Sequence, residues 1–381
     1  MELGSLASEL LKGLSNFTPG NAVMLAAGLM LVYLAIAKEY EPVLLLPIGF
    51  GAILANIPLG GMTAGEGMTA AEGMMSLLYS AGISTELFPL LIFVGVGAMI
   101  DFSPLLAQPQ LVLLGAAGQF GIFGTLILAV LLGFPLNQAA SIGVIGAIDG
   151  PTSIFVATRL SPELLAPIAV AAYSYMSLIP IIQPPLMRLL TTRKERLIPM
   201  EYAPRPISRR TLVAFPLVIT LAVGLLVPDA TPLISMLMLG NLLRVSGVVD
   251  RLSRAAQNEL INVATLFLGL AIGATMSASA FLNLDTLKIM VLGLLAFALD
   301  TVAGLLFGKL MSFFSRGRIN PLIGAAGISA FPMAGRLAAR MAAQEDPDNF
   351  ILMHAMGANT AGQLGSVMAG GILLAIVSRL V

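Results

Sequence analysis

The sequence predicts an all-α polytopic membrane protein, and three observations carry that expectation. Of its 381 residues, 57% are hydrophobic and 10% charged, whereas a soluble chain is about a quarter charged; mean hydropathy is +0.95. Apolar runs approaching the roughly 20 residues needed to cross a bilayer recur along the whole chain. The 39 Gly and 23 Pro are dispersed, and in an apolar chain they suggest interrupted helices whose freed backbone lines a cavity. The same totals exclude other classes. The 20 basic and 20 acidic residues cancel, which removes the basic surface that nucleic-acid binding needs. The absence of Cys excludes disulfides, thiolate catalysis and Cys-based metal sites, and a single His, His354, excludes a His-rich metal centre.

Residues 1–18, with Glu2, Glu9 and Lys12, read as an amphipathic lead-in without the basic start and cleavage site of a signal peptide. About ten transmembrane helices are expected, near 20–38, 42–59, 86–101, 109–134, 162–183, 211–228, 231–247, 260–281, 288–314 and 350–378. Residues 60–85, rich in Gly and Met, read as an external loop with a short helix. Two further apolar stretches are too broken to be plain spans. Asn137–Leu160 is interrupted at Ile148-Asp149-Gly150-Pro151-Thr152, and Ile319–Arg340 at Ser329-Ala330-Phe331-Pro332. Each reads as a re-entrant hairpin, two half-helices meeting at a Pro-containing break.

Arg188, Arg193, Lys194, Arg196, Arg205, Arg209 and Arg210 place the segment 188–210 in the cytoplasm. Counting crossings outward puts Lys38, the Arg251/Arg254 loop, Arg316/Arg318 and Arg336/Arg340 on the same side, with the first hairpin entering from outside and the second from the cytoplasm. The chain also repeats itself. Phe93-Val-Gly-Val-Gly97 resembles Phe267-Leu-Gly-Leu-Ala271, and Gly143, Pro151 and Arg159 match Gly324, Pro332 and Arg340 at a constant offset of 181 residues. Opposite directions of the two copies make this an inverted repeat, with the substrate and ion site expected between them at mid-membrane. Chance matching of Gly- and Leu-rich spans is the competing account; the shared spacing at both breaks argues against it.

Asp149 is the sharpest chemical signal. A carboxylate at the bilayer centre costs about 2.5–3.5 kcal/mol even on the mild insertion scale, so it needs a partner. Carbonyls freed by the break and the Thr152 hydroxyl offer an oxygen cage suited to a hard cation. Asp149 also suits a cap on the half-helix beginning at Pro151, and the two roles are compatible. The second break offers Asn320 at its entrance and Ser329 at its tip, with Arg336 one turn into a half-helix whose N-terminus suits an anion; a cap and an ordinary topogenic charge are the plainer accounts. Tyr173 and Tyr175 lie in an otherwise aliphatic span, where a buried phenol is either packing or a proton relay. Asn359 is an interhelical hydrogen-bonding group or an ion ligand. His354 reads as a satisfied polar residue, and Asp300 is a second intramembrane acid with no break of its own. The Met stripes read as core or lipid-facing filler.

These motifs resemble a known family, the beta subunits of sodium-pumping biotin-dependent decarboxylases acting on oxaloacetate, methylmalonyl-CoA or glutaconyl-CoA. The resemblance rests on Glu41-Pro-Val-Leu-Leu-Leu-Pro-Ile-Gly-Phe-Gly51, Val96-Gly-Ala-Met-Ile-Asp-Phe-Ser-Pro-Leu-Leu-Ala107, Gly146-Ala-Ile-Asp-Gly-Pro-Thr152, the run from Val170 to Pro185, Asn320-Pro-Leu-Ile-Gly324 and Leu352-Met-His-Ala-Met-Gly357. It covers nearly the whole chain. It implies that carboxybiotin, carried by a partner, is decarboxylated here with uptake of a proton and export of Na+. It further implies that Asp149, Tyr175, Asn320, Gly324, Ser329, Arg336 and Asn359 belong to the sodium and proton pathway. Taken with the residue reading, this makes Asp149, Tyr175 and Arg336 the catalytic candidates, Arg336 and Ser329 the candidates to receive the carboxybiotin, and Asp149, Thr152, Asn320, Gly324, Ser329 and Asn359 the candidate Na+ ligands. Implied partners are a biotin carrier subunit, a carboxyltransferase alpha subunit and a small gamma or delta membrane subunit, in a homo-oligomer such as a trimer, in the inner cell membrane.

The resemblance also implies a mobile core and a scaffold. Residues 1–85 then form scaffold helices and the external loop, 86–185 the first repeat with hairpin 137–160, 186–258 the basic loop and further scaffold helices, and 259–381 the second repeat with hairpin 319–340. Two departures stand out. Region 60–85 is shorter than in some oxaloacetate members, and Asp300 falls where the resemblance implies no acid. Biotinylated lysines usually follow a Met, and none of the Lys residues here does, so the biotin rides on another chain. A stand-alone cation-coupled carrier of an organic anion is the rival from another class, separated only by the motifs. A purely structural anchor gives no reason to put Asp149 and Asn320 in helix breaks.

Overall fold

The computed structural model describes residues 11–39, 42–58, 73–200 and 206–381, and every regular element among them is helical. Most of the expected lead-in and residues 60–72 of the expected external loop lie outside the described residues. All ten expected stretches contain helix. In chain order these begin with α1 (Pro19–Ala37), α2 (Pro42–Ala55) and α3 (Leu87–Met99). A helical segment Met74–Ile83 meets α3 at a bend of 59°, with Glu86 left-handed at the corner, and it falls where a short helix was expected. The next span begins at Pro109, breaks at Gly118–Gln119 and continues as α4 (Phe120–Leu131).

The first hairpin is α5 (Leu136–Gly143) and α6 (Gly150–Leu160). Then follow α7 (Leu165–Leu190), α8 (Arg209–Leu226), α9 (Thr231–Ser246), α10 (Ile261–Ala274) and α11 (Leu284–Phe314). The second hairpin ends in α12 (Met333–Glu345), and α13 (Leu352–Val377) closes the chain. Six helices among the described residues are long and apolar enough to cross a membrane, or up to eight if each bent pair is one span. The 14 residues of α2 and 16 of α9 fall short of that length, so length alone does not reach ten. Helix α7 runs past its expected end with a 61° bend and contains Pro180, Pro184 and Pro185, each removing a backbone donor.

The outside is apolar: Leu29, Ile36, Leu221, Leu225, Val291 and Phe313 are exposed, as lipid contact requires. The inside is made of small residues. Helix α13 buries Ala355, Gly357, Ala358, Ala361, Gly362 and Gly370, and small side chains let neighbouring backbones approach where no hydrophobic effect drives helices together. Stretch 112–117, α6, α12 and the first arm of the second hairpin all pack against it. Buried along the same helix are Asn359, Thr360, Gln363 and Ser366, an unusual polar load for a membrane interior.

Both breaks are real and differ in form. In the first, a 3-10 turn Val144–Ala147 leads to Ile148 in the left-handed region (φ 52°) and an extended Asp149 before α6 starts. Asn137 Nδ2 donates to the Leu160 carbonyl at 2.9 Å and closes the hairpin's mouth. In the second, Asn320 caps a seven-residue 3-10 arm, Pro321–Gly327, and Ile328 is extended ahead of the tip. Ile148 from one tip and Ile328 and Ala330 from the other share an apolar cluster with Phe297 of α11. The two tips therefore meet inside the protein.

Candidate functional site

The left-handed Ile148 turns the chain so that Asp149 leaves the helical path with its carboxyl facing α13. Its Oδ2 accepts from Thr152 Oγ1 at 2.7 Å, Gln363 Nε2 at 2.8 Å and Ser366 Oγ at 3.1 Å. These bonds come from side chains and tie the acid to another helix, whereas a plain cap would serve the amides of the helix it opens. Ser153 Oγ meets the carbonyls of Val144 and Asp149 at 3.1 and 3.0 Å, satisfying backbone released by the break. No ion pair among the described residues involves Asp149, and none of their His, Cys, Asp or Glu side chains forms a group of three that would hold a metal ion. One carboxylate among two neutral hydroxyls and a side-chain amide carries a single negative charge and offers no thiolate or imidazole of the kind that selects a transition metal.

Gln363 and Ser366 were missed by the sequence reading, although a signal was present. Asn359, Gln363 and Ser366 follow at spacings of four and three, one face of a helix, inside an apolar run. That face is what joins the hairpins. Asn359 Nδ2 donates to the Ile328 carbonyl at 2.6 Å, and Ser329 Oγ donates to the Gly362 carbonyl at 3.0 Å. Successive turns of α13 thus grip the second tip and then the first. Asn359 Oδ1 is buried without a hydrogen-bond partner, a spare oxygen on the same face.

Four expected site residues stand elsewhere. Asn320 does not join Asp149: its Nδ2 donates to the carbonyls of Arg196 and Ile198 at 2.9 Å each, and its Oδ1 accepts from the Leu322 amide at 3.0 Å. A 3-10 arm rises about 2 Å per residue, so seven residues separate Asn320 from the tip by roughly 14 Å. Gly324 belongs to the packing of that arm, since a Cβ there would lie 2.0 Å from the Gly304 carbonyl oxygen of α11. Tyr175 donates its hydroxyl to the Met290 carbonyl. The tyrosine against the break is Tyr173, whose ring would lie 2.0 Å from a Cβ at Gly150. Two residues apart on a helix point about 200° apart, so both tyrosines cannot face one carboxylate.

Arg336 faces a separate cavity of about 260 Å³, shared with Arg244, Asp101, Phe331, Met353 and Met356. Arg244 Nη2 stands 3.9 Å from Asp101 Oδ2, and Asp101 Oδ1 caps the Ser103 amide at 2.9 Å. Arg336 has no ion-pair partner among the described residues. Two guanidinium groups against one carboxylate, with Phe and Met walls, make a pocket for an apolar molecule bearing a negative charge. Arg244 and Asp101 were not singled out from sequence, because only the fold brings them to Arg336.

The chain is similar along nearly its full length to known proteins. The family described as Na+-transporting oxaloacetate decarboxylase beta subunit matches residues 20–377. Methylmalonyl-CoA decarboxylase subunit beta of Veillonella parvula is 56% identical over 367 residues, covering 96% of each chain. Glutaconyl-CoA decarboxylase subunit beta of Acidaminococcus fermentans is 52% identical over 365 residues, 96% of this chain and 95% of that one. Oxaloacetate decarboxylase beta chain of Klebsiella pneumoniae is 47% identical over 420 positions, 96% of this chain and 97% of that one.

Proposed function

Because the chain belongs to the family of beta subunits of Na+-transporting decarboxylases, we propose that it decarboxylates carboxybiotin in the Arg336 pocket and moves Na+ past Asp149. Membership sets aside the stand-alone carrier. The observation that carries the proposed site is the Asp149 carboxyl, buried and held by Thr152 of its own hairpin and by Gln363 and Ser366 of α13, the helix that also bonds Ser329 at the second tip. Thr152 and Ser366 now donate to that carboxylate; with Na+ present their hydroxyl oxygens and the amide oxygen of Gln363 turn to the cation instead. Asn359 Oδ1 adds a further oxygen from the same helix face, and Ser329 positions the second tip.

In the pocket, Arg336 and Arg244 hold the substrate carboxylate while Phe331, Met353 and Met356 cover its ring. Decarboxylation breaks the bond between the ureido nitrogen and the carboxyl carbon; carbon dioxide leaves and the nitrogen takes up one proton. Asp149 exchanges a proton for Na+ as the cation arrives and leaves, since a buried carboxyl favours its neutral form until a positive charge joins it. Moving one charge against 100 mV takes about 2.3 kcal/mol, which release of carbon dioxide supplies.

The ten-span inverted-repeat architecture, with the two hairpins entering from opposite faces of the inner cell membrane, belongs to the same reading. So do the partners: a biotin carrier, a carboxyltransferase alpha subunit, a small gamma or delta membrane subunit, and further copies of this chain in a trimer. The chain aligns with two acyl-CoA decarboxylase subunits over 367 and 365 positions but needs 420 for an oxaloacetate one, which favours an acyl-CoA substrate on the partner. Assay of the purified complex with each of the three acids checks that choice. For the site, Asp149→Asn is expected to reduce Na+-dependent decarboxylation at least about 100-fold, by removing the only charged ligand. Activity that persists with the normal Na+ dependence refutes the assignment.

A further inference from the structure

The break at Gly118–Gln119 plays no part in the site above, yet a second buried acid sits against it. Gly121 lies in the first turn of α4, where amides lack helical acceptors, and its N–H donates to Asp300 Oδ1 of α11 at 2.5 Å. Asp300 is wholly buried, and its Oδ2 has no hydrogen-bond partner. The buried hydroxyl of Thr125, one turn beyond Gly121 on the same face, is equally unmatched, as is that of Thr301, which follows Asp300 about 100° round α11. Gly121 also backs onto the first hairpin, because a Cβ at Gly146 would lie 2.9 Å from the Gly121 carbonyl carbon. Phe297, one turn before Asp300, belongs to the cluster that holds both tips. Asp300 therefore lies immediately behind the place where the hairpins meet.

No ion pair among the described residues answers it. The stretches packed against α11 at 112–131, 136–147, 165–190 and 321–327 contain one Lys, Arg or His, Arg188, which is exposed in the last turn of α7, and their other titratable groups are Tyr173 and Tyr175. On its own helix, Lys288 is paired with Asp285 at 2.9 Å and Lys309 with Glu195 at 3.3 Å, both more than a turn away. A buried carboxylate with one backbone bond is not tolerated bare. One negative charge beside a hydroxyl oxygen matches one small positive charge.

We propose that Asp300, with the hydroxyl of Thr125, is a second site for a monovalent cation, either Na+ or a proton. It rests on the reading that this subunit exchanges Na+ for protons, and gives the cation a second station behind the hairpin tips. The test uses the purified decarboxylase complex in proteoliposomes, with equilibrium binding of radioactive Na+ measured before any substrate is added. If Na+ occupies the site, Asp300→Asn loses one bound Na+ per beta subunit and transports fewer ions per carbon dioxide. If a proton occupies it, Na+ binding is unchanged while proton uptake per carbon dioxide falls and the pH dependence of the rate flattens. Wild-type values for all three quantities overturn the proposal. Should Asp300→Asn fail to assemble, Thr125→Val retains the shape and the Gly121–Asp300 bond. It is expected to weaken Na+ binding or shift the pH profile about tenfold, and no change again overturns the proposal. Asp149→Asn separates the two levels: normal Na+ dependence there defeats the function proposed above, whereas its loss beside a silent Asp300→Asn defeats only this second site.

Discussion

The two hairpins share a plan and divide the work. Each has a short first arm, an extended residue at its tip and a second arm that begins as a fresh helix. The first places a carboxyl at the tip and surrounds it with side-chain donors from α13. The second places a hydroxyl and a bare carbonyl there, both bonded to α13, and carries Arg336 into a different cavity. Their far ends differ as well. The first is tied by Asn137 to its own other arm, and Arg159 reaches Glu86 on the α3 side through two bonds. The second is strapped to the loop after α7: Asn320 and Asn349 both donate to the carbonyls of Arg196 and Ile198. One hairpin holds charge. The other holds position and carries Arg336 to the pocket proposed to receive an anion. Repetition of a fold thus does not entail repetition of its chemistry.

Beyond Asp149 itself, the sharpest way to break this division is to compare Gln363→Leu with Asn320→Ala. Loss of Gln363 removes a direct partner of the Asp149 carboxyl, and such losses typically weaken a metal site by about 10- to 100-fold. Asn320→Ala removes a strap some 14 Å from the tip by 3-10 geometry, so the half-saturating Na+ concentration is expected to move less than about threefold. Equal effects in a Na+ titration of decarboxylation erase the distinction. A middle case is Ser329→Ala. It deletes one buried hydrogen bond, worth about 1 kcal/mol or a factor of about five, and leaves the Gly362 carbonyl to Gln119, which donates to it at 3.2 Å. Its effect belongs on the carboxybiotin and Na+ half-saturation values together, because the second tip is shared by both sites.

Much of this was legible in the residues. Hydropathy located the long apolar helices but not the short Ser103–Ala107, Arg193–Arg196 and Asp250–Ala255, and the two Pro-containing breaks located both tips, because a missing donor and a constrained φ act locally. Asp149, Thr152 and Ser329 could be singled out because they lie within those breaks. What depends on two distant segments was not legible. Gln363 and Ser366 sit on an unbroken helix, and nothing local marks them except their spacing. Asn320 looked like a ligand because it opens a broken stretch, but the 3-10 arm carries it away from the tip. The residues offered Tyr173 and Tyr175 alike and the resemblance singled out Tyr175, whereas helix phase puts Tyr173 against Gly150. Arg244 and Asp101 come from segments more than a hundred residues apart, joined to Arg336 by packing alone. The reading of residues 60–72 as an external loop falls outside the described residues.

The strap on the second hairpin provides the smallest expected effect and a check through pH. Arg196 Nη2 lies 2.7 Å from Glu345 Oε1, and Arg193 Nε lies 3.2 Å from Glu345 Oε2. The hydrogen bond from Arg196 holds the Glu345 carboxyl below the usual carboxylate range, outweighing the small upward push of burial, and the charges of Arg196 and Arg193 add to it. A lowered value means that the folded protein binds this proton less readily than the unfolded chain does. The contribution of the pair is therefore fully present above about pH 4.5, the usual range of a Glu carboxyl, and fades as the pH falls through the lowered folded value. In Glu345→Gln that contribution should be missing at neutral pH, and its stability should decline less between about pH 5 and 3 than that of the wild type. Ion pairs at the protein surface, even half-buried as Arg196–Glu345 is, are modest and salt-screened, so the difference should shrink in high salt while the Na+ half-saturation stays near wild type. Thermal unfolding of the two proteins across that pH range makes the comparison. A Glu345→Gln variant with greatly weakened Na+ binding would show that the strap takes part in the ion site, and the separation between a charged hairpin and a positioning hairpin would no longer hold.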